Sequence, residues 1–184
     1  VGDRAVAGAG VLVVVGRDRE DAPGRVLAGR VGQARRAVTA VVAGRSVDTT
    51  MGFTPLEGVP MTTRSGSIDP GALLYLLRER GLDVESLDHA LNFESGVTGL
   101  AGGGAHGMVE VERRAVAADP EAQLALEVML HRLAAAVAAM AAAAGGLDAL
   151  AFTAGIGEGS SVVRERLCGR LSFLGVELDA DRND

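Results

Sequence analysis

One arginine in a stretch rich in glycine, proline and hydroxyl residues is the first candidate for chemistry. The stretch Asp48–Pro70 contains too many turn-forming residues for a regular helix or strand, so we expect a structured loop. Its single cation is Arg64. The planar guanidinium carries a fork of donors that suits a phosphate or a carboxylate. The alternative is an ordinary capping or salt-bridged surface arginine. The neighbouring hydroxyl residues are Thr62, Thr63, Ser65 and Ser67.

The second candidate is the glycine-rich run Ala154–Ser161, which has the sequence AGIGEGSS. It follows a predicted buried strand at Asp148–Thr153 and precedes a helix predicted to begin near Ser160. Glycine lets a backbone pass close to a nucleotide because no Cβ stands in the way. A helix start also directs free amides and the positive end of its dipole at anions. The alternative is a strand–turn–helix connection whose glycines serve only packing.

Both regions resemble motifs of the acetate kinase family. The segments Met51–Gly58 (MGFTPLEG) and Thr63–Pro70 (TRSGSIDP) match the family's signature at nearly every residue. Phe152–Glu158 (FTAGIGE) is similar to its nucleotide-binding turn, and the similarity extends from about Ala37 to the end of the chain. Two long motifs in the family's order are far more specific than a glycine pattern alone. Two further segments are similar to the family, Arg164–Cys168 and Phe173–Asp179.

This resemblance implies a reversible transfer of the γ-phosphoryl group of ATP to the carboxylate of acetate. ADP and acetyl phosphate are the products, and Mg²⁺ is the implied cofactor. Such a transfer depends on positioning and charge neutralisation more than on covalent chemistry by the protein. Arg64 matches the family arginine that stabilises the phosphoryl group in flight. The residues that match the segment holding the adenosine end are Gly155, Ile156, Gly157, Glu158 and Gly159. We therefore predict that the two places face one cleft.

The fold implied by the resemblance is the α/β, actin-like and ribonuclease-H-like ATPase domain of the sugar kinase–heat-shock–actin superfamily, present in part. Residues 37–184 correspond to part of its C-terminal nucleotide-binding domain, whereas residues 1–36 do not match. The family's phosphate-binding HLGNG turn would fall at Val31–Arg35, which has neither the His nor the Asn. Our hypothesis is that residues 1–36 are out of frame or come from a broken gene, and the coding DNA would test it.

Several departures from the family pattern bear on activity. An Asp-Met/Phe-Arg triplet that contacts adenosine is replaced by Gly107–Val109, and Gly159 stands where the family has Asn. Much of the family's other catalytic machinery has no counterpart in these 184 residues. We therefore expect no acetyl phosphate formation by this chain alone, and appreciable turnover in a coupled assay would refute that. The alternatives are a propionate kinase, a non-catalytic remnant that binds nucleotide weakly, or a generic binding module without selectivity for adenine.

Composition limits the partners and the compartment. A net charge of −6 and 3% aromatic residues disfavour a nucleic-acid partner. The apolar run Leu133–Ala144 is too short to cross a bilayer. Cys168 is the sole cysteine and is expected to be a packed side chain, which is compatible with a reducing cytoplasm. The resemblance adds a short carboxylate such as acetate as substrate, and a homodimer as the family's intact form.

The elements that must position the candidates can be predicted from patterning. We expect a strand at Val11–Val15, a β-hairpin around Ala43–Arg45, and loop from Gly16 to Arg36. A helix should run from Pro70 to Gly81, capped by Asp69, and Asp83 should cap a short second helix to Leu91. Ser95–His106 is expected to be a flexible loop. The longest helix should run from Pro120 to about Ala144. No metal or catalytic role is expected for His89 or His131.

Overall fold

The computed structural model describes residues 11–15 and 37–183, and the chain divides into two compact units. The described residues of Val1–Thr50 and Leu133–Asp184 form one unit, and Met51–Arg132 forms the other. The predicted loop from Gly16 to Arg36 lies outside the described residues, as does the Val31–Arg35 segment.

The first unit contains a four-stranded sheet. Its strands are β1 (Val11–Val15), β2 (Ala37–Val42), β3 (Arg45–Thr49) and β4 (Ala149–Phe152), in the order β3-β2-β1-β4. β1 runs parallel to β2 and antiparallel to β4, and β2 pairs with β3 in an antiparallel hairpin. The strand at Val11–Val15 and the hairpin are thus confirmed. The structured loop begins after Thr49 and not at Asp48, since β3 takes in both residues.

The turn between β2 and β3 has the backbone of a tight hairpin, and β4 lies at the edge of the sheet. Ala43 and Gly44 both have positive φ, +50° and +74°, which is the backbone of a two-residue hairpin turn. β4 was predicted to be buried, and that prediction was wrong: all four of its residues are only half-buried. Among the described strands β4 pairs with β1 alone, so it lies at an edge of the sheet.

The long helix α5 (Pro120–Ala144) has the predicted bounds. It ends at Ala144; Gly145 follows with φ +77°, and the Gly146 amide donates to the Ala141 carbonyl at 2.9 Å. By length and composition α5 could cross a membrane, a test that core helices also pass. Its buried side chains recur at three- and four-residue steps, as expected of a core helix. They are Ala122, Ala125, Leu126, Met129, Leu130, Val137, Met140 and Ala141.

The second unit is helical. It contains α1 (Pro70–Glu79), α2 (Val84–His89), a π-helical segment (Ala90–Glu94), α3 (Gly96–Ala101) and α4 (Met108–Val116), and it includes the first half of α5. Both predicted caps are present: the Asp69 carboxylate accepts from the Gly71 amide at 2.8 Å, and the Asp83 carboxylate from the Ser86 amide at 2.7 Å. α4 was not predicted.

The predicted flexible loop at Ser95–His106 is wrong over its first half, where α3 forms. The Val97 amide donates to the Met61 carbonyl and the Thr98 amide to the Thr62 carbonyl, both at 2.9 Å. These bonds satisfy two amides of the first helical turn, which otherwise have no partner within the helix. Contacts with residues more than thirty positions away therefore outweigh the poor helix propensity of glycine.

Arg114 ties the end of α3 to the start of α5. Its two terminal nitrogens donate to the Ala101 and Gly102 carbonyls, each at 2.9 Å. Its Nε donates to the Asp119 carboxylate at 2.8 Å, and the other oxygen of Asp119 accepts from the amides of Glu121 and Ala122. The hydrogen bond from Arg114, aided by these amides, lowers the pKa of Asp119 below its ordinary value.

This lowered pKa predicts an acid-dependent loss of stability. A carboxyl with a lower pKa in the folded state stabilises the fold above its unfolded pKa, and that stabilisation disappears as the pH falls through the folded pKa. We therefore expect Asp119→Asn to flatten the decline in the free energy of unfolding below about pH 4, measured by urea titration across pH. Asp148→Asn is the control, because that exposed carboxyl has no hydrogen bond to another described residue. An unchanged acid profile for Asp119→Asn would contradict the argument.

Candidate functional site

The loop that carries Arg64 is closed on itself by hydrogen bonds. The Ser67 amide donates to the Gly58 carbonyl, and the Gly58 amide donates to the Ser67 hydroxyl, each at 2.9 Å. Gly66 is buried with φ +72°, and a Cβ at that residue would lie 2.7 Å from the Pro60 nitrogen. Only glycine fits this backbone without strain. The loop therefore has a fixed course, as its residue types predicted.

The loop is also bonded to the π-helical segment and to the start of α3. The Ser65 amide donates to the Leu91 carbonyl at 3.1 Å, and the Thr63 hydroxyl donates to the Asn92 carbonyl at 3.0 Å. In return the Ser95 amide donates to the Thr63 carbonyl at 3.0 Å. The two residues that flank Arg64 are thus held by backbone groups of one neighbouring segment.

Gly96 is the point of closest approach between the loop and α3. It is buried with φ +65°, and an added Cβ would lie 2.7 Å from the Arg64 carbonyl oxygen and 2.8 Å from that of Thr62. The Met61 carbonyl oxygen would be nearer still. The absence of a side chain at Gly96 therefore lets the loop dock on the helix.

Arg64 is half-buried, and its side-chain partners are neutral. Its Nε lies 3.4 Å from Asn92 Oδ1, and one terminal nitrogen lies 3.9 Å from Met61 Sδ. Within the part of the chain that the structure describes, no carboxylate lies within 4.0 Å of Arg64. By contrast, Arg113 pairs with a carboxylate at 2.6 Å and Arg114 at 2.7 Å. The salt-bridged alternative thus finds no support among the described residues, while the phosphoryl-binding role stays a prediction.

The glycine-rich run is more helical than predicted. Ala154–Gly159 form a short helix, α6, and α7 (Ser161–Arg170) begins where a helix was predicted. The buried Ser160 hydroxyl caps α7 by accepting from the Val163 amide at 3.0 Å. The glycines of α6 do not have positive φ, so they are not needed for an unusual backbone.

The atoms around the glycines of α6 show which glycine is closely packed and which ones leave their backbone accessible. A Cβ at Gly157 would lie 3.3 Å from the backbone of Phe152, so this residue is small for close packing against the preceding strand. Around the Cβ positions of Gly155 and Gly159, in contrast, no described heavy atom lies within 4 Å apart from the adjacent residues and the backbone of their own helix. Both of these residues are exposed, as is Glu158, and Ile156 is half-buried. The packing interpretation therefore applies to Gly157, and close approach of a nucleotide remains a prediction for Gly155 and Gly159.

Arg164 was not singled out by sequence reasoning, although it belongs to the text shared with the family. From α7 one of its terminal nitrogens donates to the Gly157 carbonyl at 3.1 Å and to the Glu158 carbonyl at 2.6 Å. Its Nε donates to Asn183 Oδ1 at 2.7 Å. Because the last carbonyls of a helix have no partner within it, this cation holds the C-terminal end of α6 in place.

The remaining candidates are structural or lie at the surface. Cys168 is buried, and burial raises the pKa of its thiol, so a thiolate nucleophile is disfavoured. His89 is exposed and lies 3.4 Å from Glu94. Among the residues that the structure describes, no group of three or more His, Cys, Asp or Glu side chains could hold a metal ion. Arg64 belongs to the Met51–Arg132 unit and Gly155–Gly159 to the other, and their sharing of one cleft stays a prediction.

Solved structures define the class of fold. The chain is similar to the crystal structure of Porphyromonas gingivalis acetate kinase, with a TM-score of 0.76 and 30% identity over 96% of this chain and 40% of that one. It is also similar to a propionate kinase from Francisella tularensis, again with a TM-score of 0.76, at 36% identity over 96% of this chain and 41% of that one. The described α/β architecture is accordingly part of an actin-like ATPase-fold domain.

Sequence comparison narrows the class to one family. The profile of the acetokinase family matches residues 15–184, and the chain belongs to that family. It is 49% identical to the acetate kinase of Protochlamydia amoebophila over 147 residues, which is 80% of this chain and 36% of that protein. It is 50% identical to the acetate kinase of Acaryochloris marina over 143 residues, or 78% of this chain and 35% of that protein. The chain thus spans little more than a third of the length of these relatives.

Proposed function

We propose that this chain is the phosphoryl- and nucleotide-binding portion of an acetate kinase, which transfers the γ-phosphoryl group of ATP reversibly to acetate. The observation that carries the proposal is the environment of the Arg64 side chain. Its guanidinium is half-buried on a fixed loop and bonded only to neutral groups among the described residues. A guanidinium that is not paired with a carboxylate can donate charge-assisted hydrogen bonds to an anion. Arg64 would donate hydrogen bonds to the phosphoryl oxygens in flight.

Gly155–Gly159 would hold the adenosine end of ATP or ADP. The open space at Gly155 and Gly159 and their exposure fit a ligand that lies against the backbone, and Arg164 fixes the carbonyls behind them. Among the described residues, no cluster of three or more His, Cys, Asp or Glu side chains could hold the Mg²⁺ that the family implies. The acceptor would be acetate or a similar short carboxylate, and the working form a cytoplasmic homodimer.

The direct test is a chimera. The matched 147 residues would replace their counterpart in the Protochlamydia amoebophila acetate kinase, so that the rest of the active site is supplied by an intact relative. We expect acetyl phosphate formation, detected as its hydroxamate, with acetate as the acceptor. A folded chimera that binds ADP but forms no acetyl phosphate would contradict the proposal. Faster turnover with propionate than with acetate would favour a propionate kinase, the activity named for the Francisella tularensis relative.

A non-catalytic remnant is the second candidate, and one observation favours it. Val109 stands where the family places an adenosine-contacting Arg, and this residue is 84% exposed at the start of α4. An exposed aliphatic side chain cannot donate a hydrogen bond to a nucleotide. Weak nucleotide binding is therefore expected of the unmodified chain.

Restoring the arginine should strengthen that binding. We expect Val109→Arg to raise the affinity for ADP about tenfold, the effect of one charge-assisted contact, as measured by isothermal titration calorimetry. Val116→Arg is the matched control, since Val116 is 76% exposed, lies seven residues further along α4 and receives the same charge. An equal gain in both variants would show that added charge alone is responsible.

A further inference from the structure

Asn92 lies in the π-helical segment, and its side-chain amide bridges Arg64 and Asp88. Asn92 Nδ2 donates to the Asp88 carbonyl at 3.0 Å and to the Asp88 carboxylate at 3.1 Å. Only the nitrogen of an amide can donate, so these two acceptors fix which way the amide points. The oxygen is thereby turned toward Arg64, whose Nε lies 3.4 Å away.

The backbone around Asn92 supports the same arrangement. The carbonyls of Leu91 and Asn92 accept from Ser65 and Thr63, the residues on either side of Arg64. A π-helical turn shifts the bonding pattern by one residue, which is why such turns can present backbone groups to a partner outside the helix. The Asn92 side chain and its backbone thus act on one short piece of loop, with Arg64 at its centre.

We propose that Asn92 is the positioning residue for Arg64, which it orients with a neutral oxygen so that the guanidinium is not paired with a carboxylate and can bind a phosphoryl group. The inference rests on the proposed function of Arg64. A carboxylate in this place would hold the guanidinium equally well, as Glu110 and Asp119 hold Arg113 and Arg114. It would also neutralise the cation and repel an incoming phosphate. The neutral amide of Asn92 orients the guanidinium without pairing it with a negative charge.

The test follows the Arg64 side chain by NMR in the ¹⁵N-labelled 184-residue chain. The Nε–Hε cross-peak is assigned by its loss in Arg64→Lys, and inorganic phosphate is the probe. In Asn92→Ala we expect the order parameter of this group to fall clearly below its value in the unmodified chain. Phosphate affinity should fall about five- to tenfold, the effect of losing one modest hydrogen bond. The Nε–Hε cross-peak of Arg114, which is bonded elsewhere, should not change.

A paired exchange separates orientation from charge. The double variant Asp88→Asn/Asn92→Asp keeps the net charge and the number of side-chain donors, but it moves the carboxylate next to Arg64. We expect Arg64 to remain ordered while phosphate affinity falls at least tenfold, because the guanidinium is then paired with a carboxylate that repels phosphate. Asn92→Ala and the double variant should therefore both weaken binding, with opposite effects on side-chain order.

Two results would overturn the inference. One is an unchanged order parameter for Arg64 in Asn92→Ala, and the other is unchanged phosphate affinity in the paired exchange. If Asn92→Ala does not fold, Asn92→Ser provides the same comparison with a smaller polar side chain. Failure of phosphate to shift the Arg64 cross-peak in the unmodified chain would instead refute the proposed role of Arg64 itself, and the inference with it.

Discussion

Replacing Gly96 with alanine is expected to destabilise the Met51–Arg132 unit by about 3–5 kcal/mol. The left-handed backbone at φ +65° costs a residue with a side chain about 1–2 kcal/mol. The larger part comes from the methyl group, which would lie 2.7 Å from the Arg64 carbonyl oxygen and 2.8 Å from that of Thr62. Relief requires the loop to move, which breaks the bonds from the Val97 and Thr98 amides. Guanidinium chloride unfolding would measure the loss.

Gly104→Ala is the matched control for this substitution. Gly104 has a similar φ of +72°, but apart from its two chain neighbours no described heavy atom lies within 4 Å of its Cβ position. Its alanine variant should therefore show only the backbone part of the cost, about 1–2 kcal/mol. Equal losses in the two variants would contradict the contact between Gly96 and the loop.

Arg64→Ala in the acetate kinase chimera is expected to lower kcat/KM about a thousandfold. An arginine that neutralises a phosphoryl group in transit contributes about 10³–10⁵ to kcat in enzymes of this reaction type. Arg64→Lys keeps the charge but loses the donor fork, so it should recover only part of the activity. The measurement is the initial rate of hydroxamate formation across acetate and ATP concentrations.

Arg78→Ala supplies the comparison for Arg64→Ala. Arg78 is an exposed arginine in the last turn of α1, so its removal changes the net charge equally without touching the loop. We expect near-normal rates. A loss of less than tenfold in Arg64→Ala, in a chimera whose melting temperature is unchanged, would remove Arg64 from the catalytic machinery.

Local chemistry made several elements predictable. Some helix ends are fixed by hydrogen bonds between residues only a few positions apart, so they can be predicted from the sequence. Examples are the caps at Asp69 and Asp83 and the paired glycines after Ala144. The hairpin turn at Ala43 and Gly44 is local in the same sense. For the candidate site, the resemblance identified Arg64 and the glycine run, and the residues alone left each with an alternative.

What could not be predicted depends on contacts between distant residues. α3 forms in a glycine-rich sequence because carbonyls from the Arg64 loop receive its first amides. The neutral partner Asn92 is 28 residues from Arg64, and nothing in its sequence neighbourhood marks it. The packing role of Gly157 and the free space at Gly155 look identical in the sequence, since only the surrounding atoms distinguish them.

The way α3 begins has a consequence for motion. Ser95 makes no side-chain capping bond, so the helix relies on the Met61 and Thr62 carbonyls in its place. Opening of the loop would leave two amides without acceptors and unravel the first turn at the same moment. Hydrogen–deuterium exchange at the Val97 and Thr98 amides would therefore report how often the loop separates from α3. The exchange rates of these two amides thus measure local unfolding around Arg64.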